Sequence, residues 1–132
     1  MNGNIEYHDL NVIQINTGNG KWTHNDDMLK VSIMNHSPNI ISISESNMNI
    51  HDMDMIRRHR NKFLNYLFFD KVFVGTSNAR ITVLVKDTIE VKRLVNMENN
   101  INPSIVLKVN TSSRKHHMII INYCQWKGTS PG

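Results

Sequence analysis

Two short apolar segments, each closing on one polar residue, constrain this chain of 132 residues more than any other feature. Leu10-Asn11-Val12-Ile13-Gln14-Ile15 ends at Asn16 and runs into Thr17-Gly18-Asn19-Gly20, and Pro38-Asn39-Ile40-Ile41-Ser42-Ile43-Ser44 ends at Glu45. Between them the pattern is helical. Thr23 or Asn25 stands at the N-cap, Asp26 and Asp27 suit the positive end of the helix dipole, and Met28, Val31, Ile33 and Met34 form an apolar stripe through about His36. Pro38 stops that helix. A strand–helix–strand unit of this kind sets two strands parallel and brings an amide and a carboxylate to the same sheet edge. Open α/β sheets bind ligands at that edge.

The remainder of the chain reads as strands with one further helix. Residues 1–8 are a loose lead-in. Met48, Ile50, Met53, Met55 and Ile56 open a short helix capped by Asp52 that carries Arg57, Arg58, Arg60 and Lys62. An apolar and aromatic run, Leu64–Val74, is extended, and alternating runs follow at Ala79–Lys86, Ile89–Val95, Ser104–Asn110 and His117–Tyr123. Thr111-Ser112-Ser113-Arg114-Lys115 is a hairpin loop between the last two. A βαβ opening followed by antiparallel-looking strands indicates an α/β chain with a mixed sheet.

Composition removes several classes. With 39% apolar and 20% charged residues the chain can build one core, and its length holds one domain. No apolar run approaches the roughly 20 residues of a membrane span, so no membrane partner is expected. The N-terminal Met1-Asn2-Gly3-Asn4-Ile5-Glu6 has no signal-peptide core, and a lone Cys124 cannot pair internally. A reducing, intracellular setting, nucleus or cytoplasm, is therefore expected. The net charge of +4 permits an anionic partner without demanding one.

The strands ending at Asn16 and Glu45, together with the later Ile119-Ile120-Ile121-Asn122-Tyr123, resemble the opening motifs of the endonuclease/exonuclease/phosphatase family. That family includes DNase I, apurinic endonucleases, sphingomyelinases and inositol polyphosphate phosphatases. Ala79-Arg80-Ile81-Thr82-Val83-Leu84-Val85-Lys86-Asp87 and Tyr123-Cys124-Gln125-Trp126-Lys127 are most similar to the endonuclease domains of non-LTR retrotransposons. The resemblance covers about residues 9–127 and corresponds to about the first half of the family's domain. It implies an incomplete DNase I-like four-layer α/β/β/α sandwich over 9–132.

It also implies a chemistry. Phosphodiester hydrolysis needs an in-line nucleophile and a charge to offset the anion building on the phosphoryl oxygens. Mg²⁺ (or Mn²⁺) supplies that charge and is held by only one or two carboxylates plus the substrate. By resemblance Glu45 is the metal ligand, Asn16 donates to the phosphate or orients a neighbouring group, and Tyr123 lies near the scissile phosphate, where its hydroxyl stabilises developing charge. Arg57, Arg58, Arg60, Lys62 and Lys127 are candidate DNA contacts, each phosphate neutralised adding about −0.9 to the log–log salt slope. Plainer readings stand beside these: Asn16 as a turn starter, Glu45 as a solvated carboxylate, Tyr123 as a sheet aromatic, and the basic cluster as a solvated helix face.

Two departures from the family stand out: Arg80 where a small residue is usual, and Asn39 where Asp is common. The family's Asp-x-Asn and terminal Ser-Asp-His-type motifs belong to the half not covered. The expectation is a fragment of a retrotransposon-type endonuclease, inactive alone, with a reverse transcriptase downstream in a full-length element. An uncovered sheet face is expected to promote self-association. The alternatives are a non-catalytic nucleic-acid-binding α/β module, and a fragment of a lipid or inositol phosphate hydrolase from the same family.

Overall fold

Strand periodicity dominates the computed structural model, which describes residues 10–16, 35–72, 75–111 and 115–122. The described elements run β1 (Val12–Asn16), β2 (Ile40–Ser44), α1 (Met53–Lys62), β3 (Tyr66–Val72), β4 (Ala79–Lys86), β5 (Glu90–Arg93), a 3-10 turn at Val95–Met97, β6 (Ser104–Thr111) and β7 (Lys115–Asn122). The helix expected through about His36 lies almost wholly outside the described residues, although Asn35 and His36 are helical.

That helix ends for visible reasons. Ser37 has a left-handed φ of 44°, the usual helix-terminating conformation, and Pro38 follows. Asn11 Nδ2 donates to the His36 carbonyl at 3.0 Å, while the Asn11 N–H donates to Asn39 Oδ1 at 2.7 Å. Asn39 therefore supplies a side-chain acceptor that an Asp would also supply, and this departure from the family pattern keeps the contact.

β1 and β2 are parallel, paired from Val12↔Ile40 to Asn16↔Ser44. β4 lies antiparallel to β2 on one side and to β3 on the other, giving the sheet order β1-β2-β4-β3. Element order alone points to a mixed sheet. The structure has that mixed sheet and a second, antiparallel one of order β5-β6-β7. Both hydrogen-bonding edges of β4 are taken by β2 and β3, and the chain leaving Lys86 packs over the face of that sheet.

The layers follow from the side chains. On one face of the mixed sheet Ile41, Ile43 and Leu84 pack with Ile56 of α1 and with Phe63 just beyond it. On the other face Ile40, Ile81, Val83 and Val85 meet Ile105, Leu107, Val109 and Ile121 of the second sheet. β2 and β4 are thus covered on both faces, which is why they read as unbroken apolar runs. α1 starts at the Asp52 cap, whose Oδ1 accepts from the Met55 N–H at 3.1 Å, and turns Ile56 and His59 inward. Helix, mixed sheet and antiparallel sheet make three layers of a DNase I-like sandwich. Among the described residues no helix covers the outer face of the second sheet, where Met118 and Ile120 are each 55% exposed.

One carboxylate bolts the sheets together. Glu98, its side chain fully covered, accepts from Arg93 Nε at 2.8 Å, Arg93 Nη2 at 2.9 Å, Lys71 Nζ at 3.1 Å and the Val106 N–H at 3.1 Å. Lys71 belongs to β3 in the first sheet, and Arg93 and Val106 belong to β5 and β6 in the second.

Candidate functional site

The parallel register puts Asn16 directly opposite Ser44, so Glu45 stands one residue beyond the Asn16 level on the neighbouring strand. The two residues singled out by sequence are therefore brought to one sheet edge. Asn16 is exposed and Glu45 half-buried. Glu45 is not a simple strand end. Its φ is +56°, and Asn47 follows at +51°. Asn tolerates the left-handed region; Glu does so at a cost of about 1–2 kcal/mol. Non-glycine backbone of this kind persists only where surrounding contacts over-determine it, and it concentrates at functional sites.

Those contacts are present. The Glu45 N–H donates to the Arg80 carbonyl at 2.8 Å, and the Ala79 N–H donates to the Met48 carbonyl at 2.8 Å. Asn49 bridges Asn78 in antiparallel fashion, and the Ile50 N–H donates to the Ser77 carbonyl at 2.9 Å. The start of β4 thus forms the wall of the turn, and Arg80 comes to the Glu45 end of the sheet.

Beneath the turn runs a line of buried polar groups. Ser46 and Thr82 are buried, with 2.8 Å between their hydroxyl oxygens. Thr82 Oγ1 lies 2.7 Å from Asp70 Oδ1. Burial pushes the Asp70 carboxyl above its ordinary value, partly offset by the Thr82 hydrogen bond and by the positive charges of Arg60 and Arg93. Asp70 carries a sequence signal: it and Lys71 are two adjacent charges within a strand that is otherwise apolar and aromatic, Tyr-Leu-Phe-Phe-Asp-Lys-Val. Ser46 and Thr82 carry no such signal, because hydroxyl residues are ordinary in strands and turns.

The basic cluster is placed differently. α1 begins beside the Asn49–Asn78 bridge at the Glu45 end, and the chain leaving it reaches Tyr66, which pairs with Lys86 at the far end of β4. Arg57, Arg58, Arg60 and Lys62 therefore lie on the helix outside the sheet, and Arg60 stands near enough to Asp70 for its charge to act on that carboxyl. Arg57, Arg58 and Arg60 are exposed, and Arg57 Nη1 lies 3.7 Å from Asp54. Tyr123 and Lys127 lie outside the described residues. Asn122, which precedes Tyr123, closes β7 opposite Ser104, near the Glu98–Lys71 contact. Lys71 pairs with Ile81, next to Arg80, so β7 ends at the same side of the molecule as Glu45.

Glu45 is one carboxylate, an oxygen donor of the kind that hard divalent cations take. Among the described residues no three His, Cys, Asp or Glu side chains gather into a cage. A hard cation that keeps most of its waters and takes one carboxylate plus substrate oxygens needs none. Glu45 could hold such an ion, and Asn16 could donate to a phosphate oxygen without adding charge.

The fold has clear counterparts among solved structures. It superposes on the endonuclease domain of TRAS1, a telomere-specific non-LTR retrotransposon, with a TM-score of 0.62 at 15% identity over 86% of this chain and 45% of that one. D. rerio TDP2, solved with a single-strand DNA product, gives 0.64 at 10% identity over 92% of this chain and 48% of that one. The AP endonuclease LMAP from Leishmania major gives 0.57 at 13% identity over 85% and 39%. The chain thus spans less than half the length of these structures and has their fold. No protein-family model matches the sequence, and no curated protein matches it.

Proposed function

We propose that these residues form the N-terminal portion of a divalent-metal-dependent phosphodiesterase, a DNA endonuclease of retrotransposon type. One observation carries the reading: Asn16 and Glu45 lie at adjacent parallel strand ends, Glu45 on a strained turn held by β4, within a DNase I-like fold. Bound Mg²⁺ or Mn²⁺ would neutralise charge developing on the phosphoryl oxygens. The chain's own contribution is to hold that ion through Glu45 and to orient the phosphate through Asn16, with Tyr123 offering its hydroxyl to the developing charge. DNA is the expected partner, engaged electrostatically by the exposed cations of α1.

The Asp-x-Asn and Ser-Asp-His-type groups that would activate water belong to the half of the fold not covered. A positioned general base is worth about 10²- to 10⁴-fold, so the 132-residue chain alone is expected to have no useful turnover. The test is nicking of supercoiled plasmid in Mg²⁺ or Mn²⁺, run beside Glu45→Gln. Robust cleavage that Glu45→Gln abolishes would show the half-domain to be sufficient and overturn the inactivity. The exposed Arg57, Arg58 and Arg60 favour a second reading, a non-catalytic DNA-binding module. Salt-dependent DNA binding indifferent to both metal and Glu45→Gln would select it.

A further inference from the structure

The buried polar line under the Glu45 turn is not part of the proposed chemistry; it ties the turn to β4 and β3. The Ser46 and Thr82 hydroxyls lie among the Asp70 carboxyl, one another's oxygens and the Ala79 carbonyl. Thr82 Oγ1 lies 2.7 Å from Asp70 and 2.8 Å from Ser46, whereas Ser46 Oγ lies 3.3 Å from the Ala79 carbonyl. Thr82 Oγ1 thus bridges the Asp70 carboxyl and the Ser46 hydroxyl through the two short contacts, linking β3 to the turn through β4. Ser46 sits between the two left-handed residues, Glu45 and Asn47. The relay therefore grips the turn at its centre, in a dry setting where such bonds reinforce one another.

We propose that Asp70 is a positioning residue for Glu45, acting through Thr82 and Ser46 to hold the left-handed turn that presents the carboxylate at the sheet edge. The functional side of this inference rests on the reading of Glu45 as a metal ligand; its structural side does not. The backbone of the same strand adds a second hold, the Arg80 carbonyl accepting the Glu45 N–H. The turn is thus clamped at residue 45 by backbone and at residue 46 by side chain.

The test is amide hydrogen exchange on the ¹⁵N-labelled chain, reading Glu45 against Val83 in the middle of β4. Thr82→Val removes both short hydroxyl bonds while keeping the side-chain shape. Exchange at Glu45 is expected to rise about tenfold relative to Val83, the loss of one buried hydrogen bond, and Thr82→Ser is expected to restore it. Ser46→Ala, which removes the Ser46 hydroxyl from both Thr82 and the Ala79 carbonyl, gives the same local effect and decides the matter if Thr82→Val does not fold. Unchanged exchange at Glu45, or an equal rise at Val83, would overturn the inference in favour of general stability. Mn²⁺ titration followed by electron paramagnetic resonance separates the two readings. Affinity that Glu45→Gln removes and Thr82→Val leaves intact also overturns the positioning role. A wild-type chain binding Mn²⁺ no better than Glu45→Gln retires the metal reading, while local loosening at Glu45 upholds the hold on the turn.

Discussion

Replacing Glu98 by Gln tests how the two sheets are joined. Each oxygen of the Glu98 carboxylate accepts two bonds: Oε1 from Arg93 Nη2 and Lys71 Nζ, Oε2 from Arg93 Nε and the Val106 N–H. Gln has the same shape, but its amide nitrogen donates. Whichever oxygen it replaces, it meets two donors head-on, and Lys71 and Arg93 lose their shared counter-charge. Breaking a buried pair by removing one partner costs about 3–5 kcal/mol. Lys71 and Arg93 retain 12% and 25% exposure and can turn partly to water, which selects the lower end, about 3 kcal/mol. With an unfolding entropy of about 2.1 cal/mol/K per residue, that lowers the melting temperature of a chain of this size by about 10 °C.

The pH dependence sharpens the prediction. Burial pushes the Glu98 carboxyl up, but the Arg93, Val106 and Lys71 hydrogen bonds outweigh it, and the group lies below its ordinary 4.5. Its stabilisation is therefore present above pH 4.5 and lost as pH falls through the lowered folded value. Thermal unfolding followed by circular dichroism at pH 7 and across the acid range measures both. The gap between wild type and Glu98→Gln should be full at pH 7 and close below pH 4.5. A Glu98→Gln protein melting within about 2 °C of wild type at pH 7 would refute the reasoning, since that corresponds to well under 1 kcal/mol.

Asp70 should behave in the opposite sense. Its carboxyl is raised from 3.8, so its contribution is fully present below that value and lost as pH rises through the folded pKa; Asp70→Asn is expected to lack this slope in the same melts. Changing Arg57, Arg58 and Arg60 to Gln should weaken DNA binding in fluorescence anisotropy and shrink the log–log salt slope by about 0.9 for each phosphate contact removed; an unchanged slope would show that α1 does not touch DNA. Asp52→Ala should cost about 1 kcal/mol in urea unfolding through loss of the bond to the Met55 N–H. On the outer face of the second sheet, Met118→Lys with Ile120→Lys should reduce concentration-dependent self-association in sedimentation, because both side chains stand exposed on β7, a sheet edge among the described residues. Equal association by the double variant would place the contact elsewhere.

Much of this architecture is local and was legible from residue patterns. The β4 span Ala79–Lys86 is where alternation and apolar content put it, and the Asp52 cap and its helix were readable because capping and strand period act over a few residues. The juxtaposition of Asn16 and Glu45 was readable too, since a strand–helix–strand crossover leaves parallel strands few alternatives. The left-handed backbone at Glu45 was not readable, because glutamate has no intrinsic preference for it and the β4 backbone that accepts its N–H is distant in sequence. Nor was the relay, whose members lie 36 and 12 residues apart in sequence and meet only when β2, β4 and β3 align. Glu98 likewise looks like any loop carboxylate until two sheets stack around it. Backbone period and turn chemistry are short-range and sit in the sequence itself; which polar groups become dry, paired and strained is a long-range outcome that exists only once the layers close.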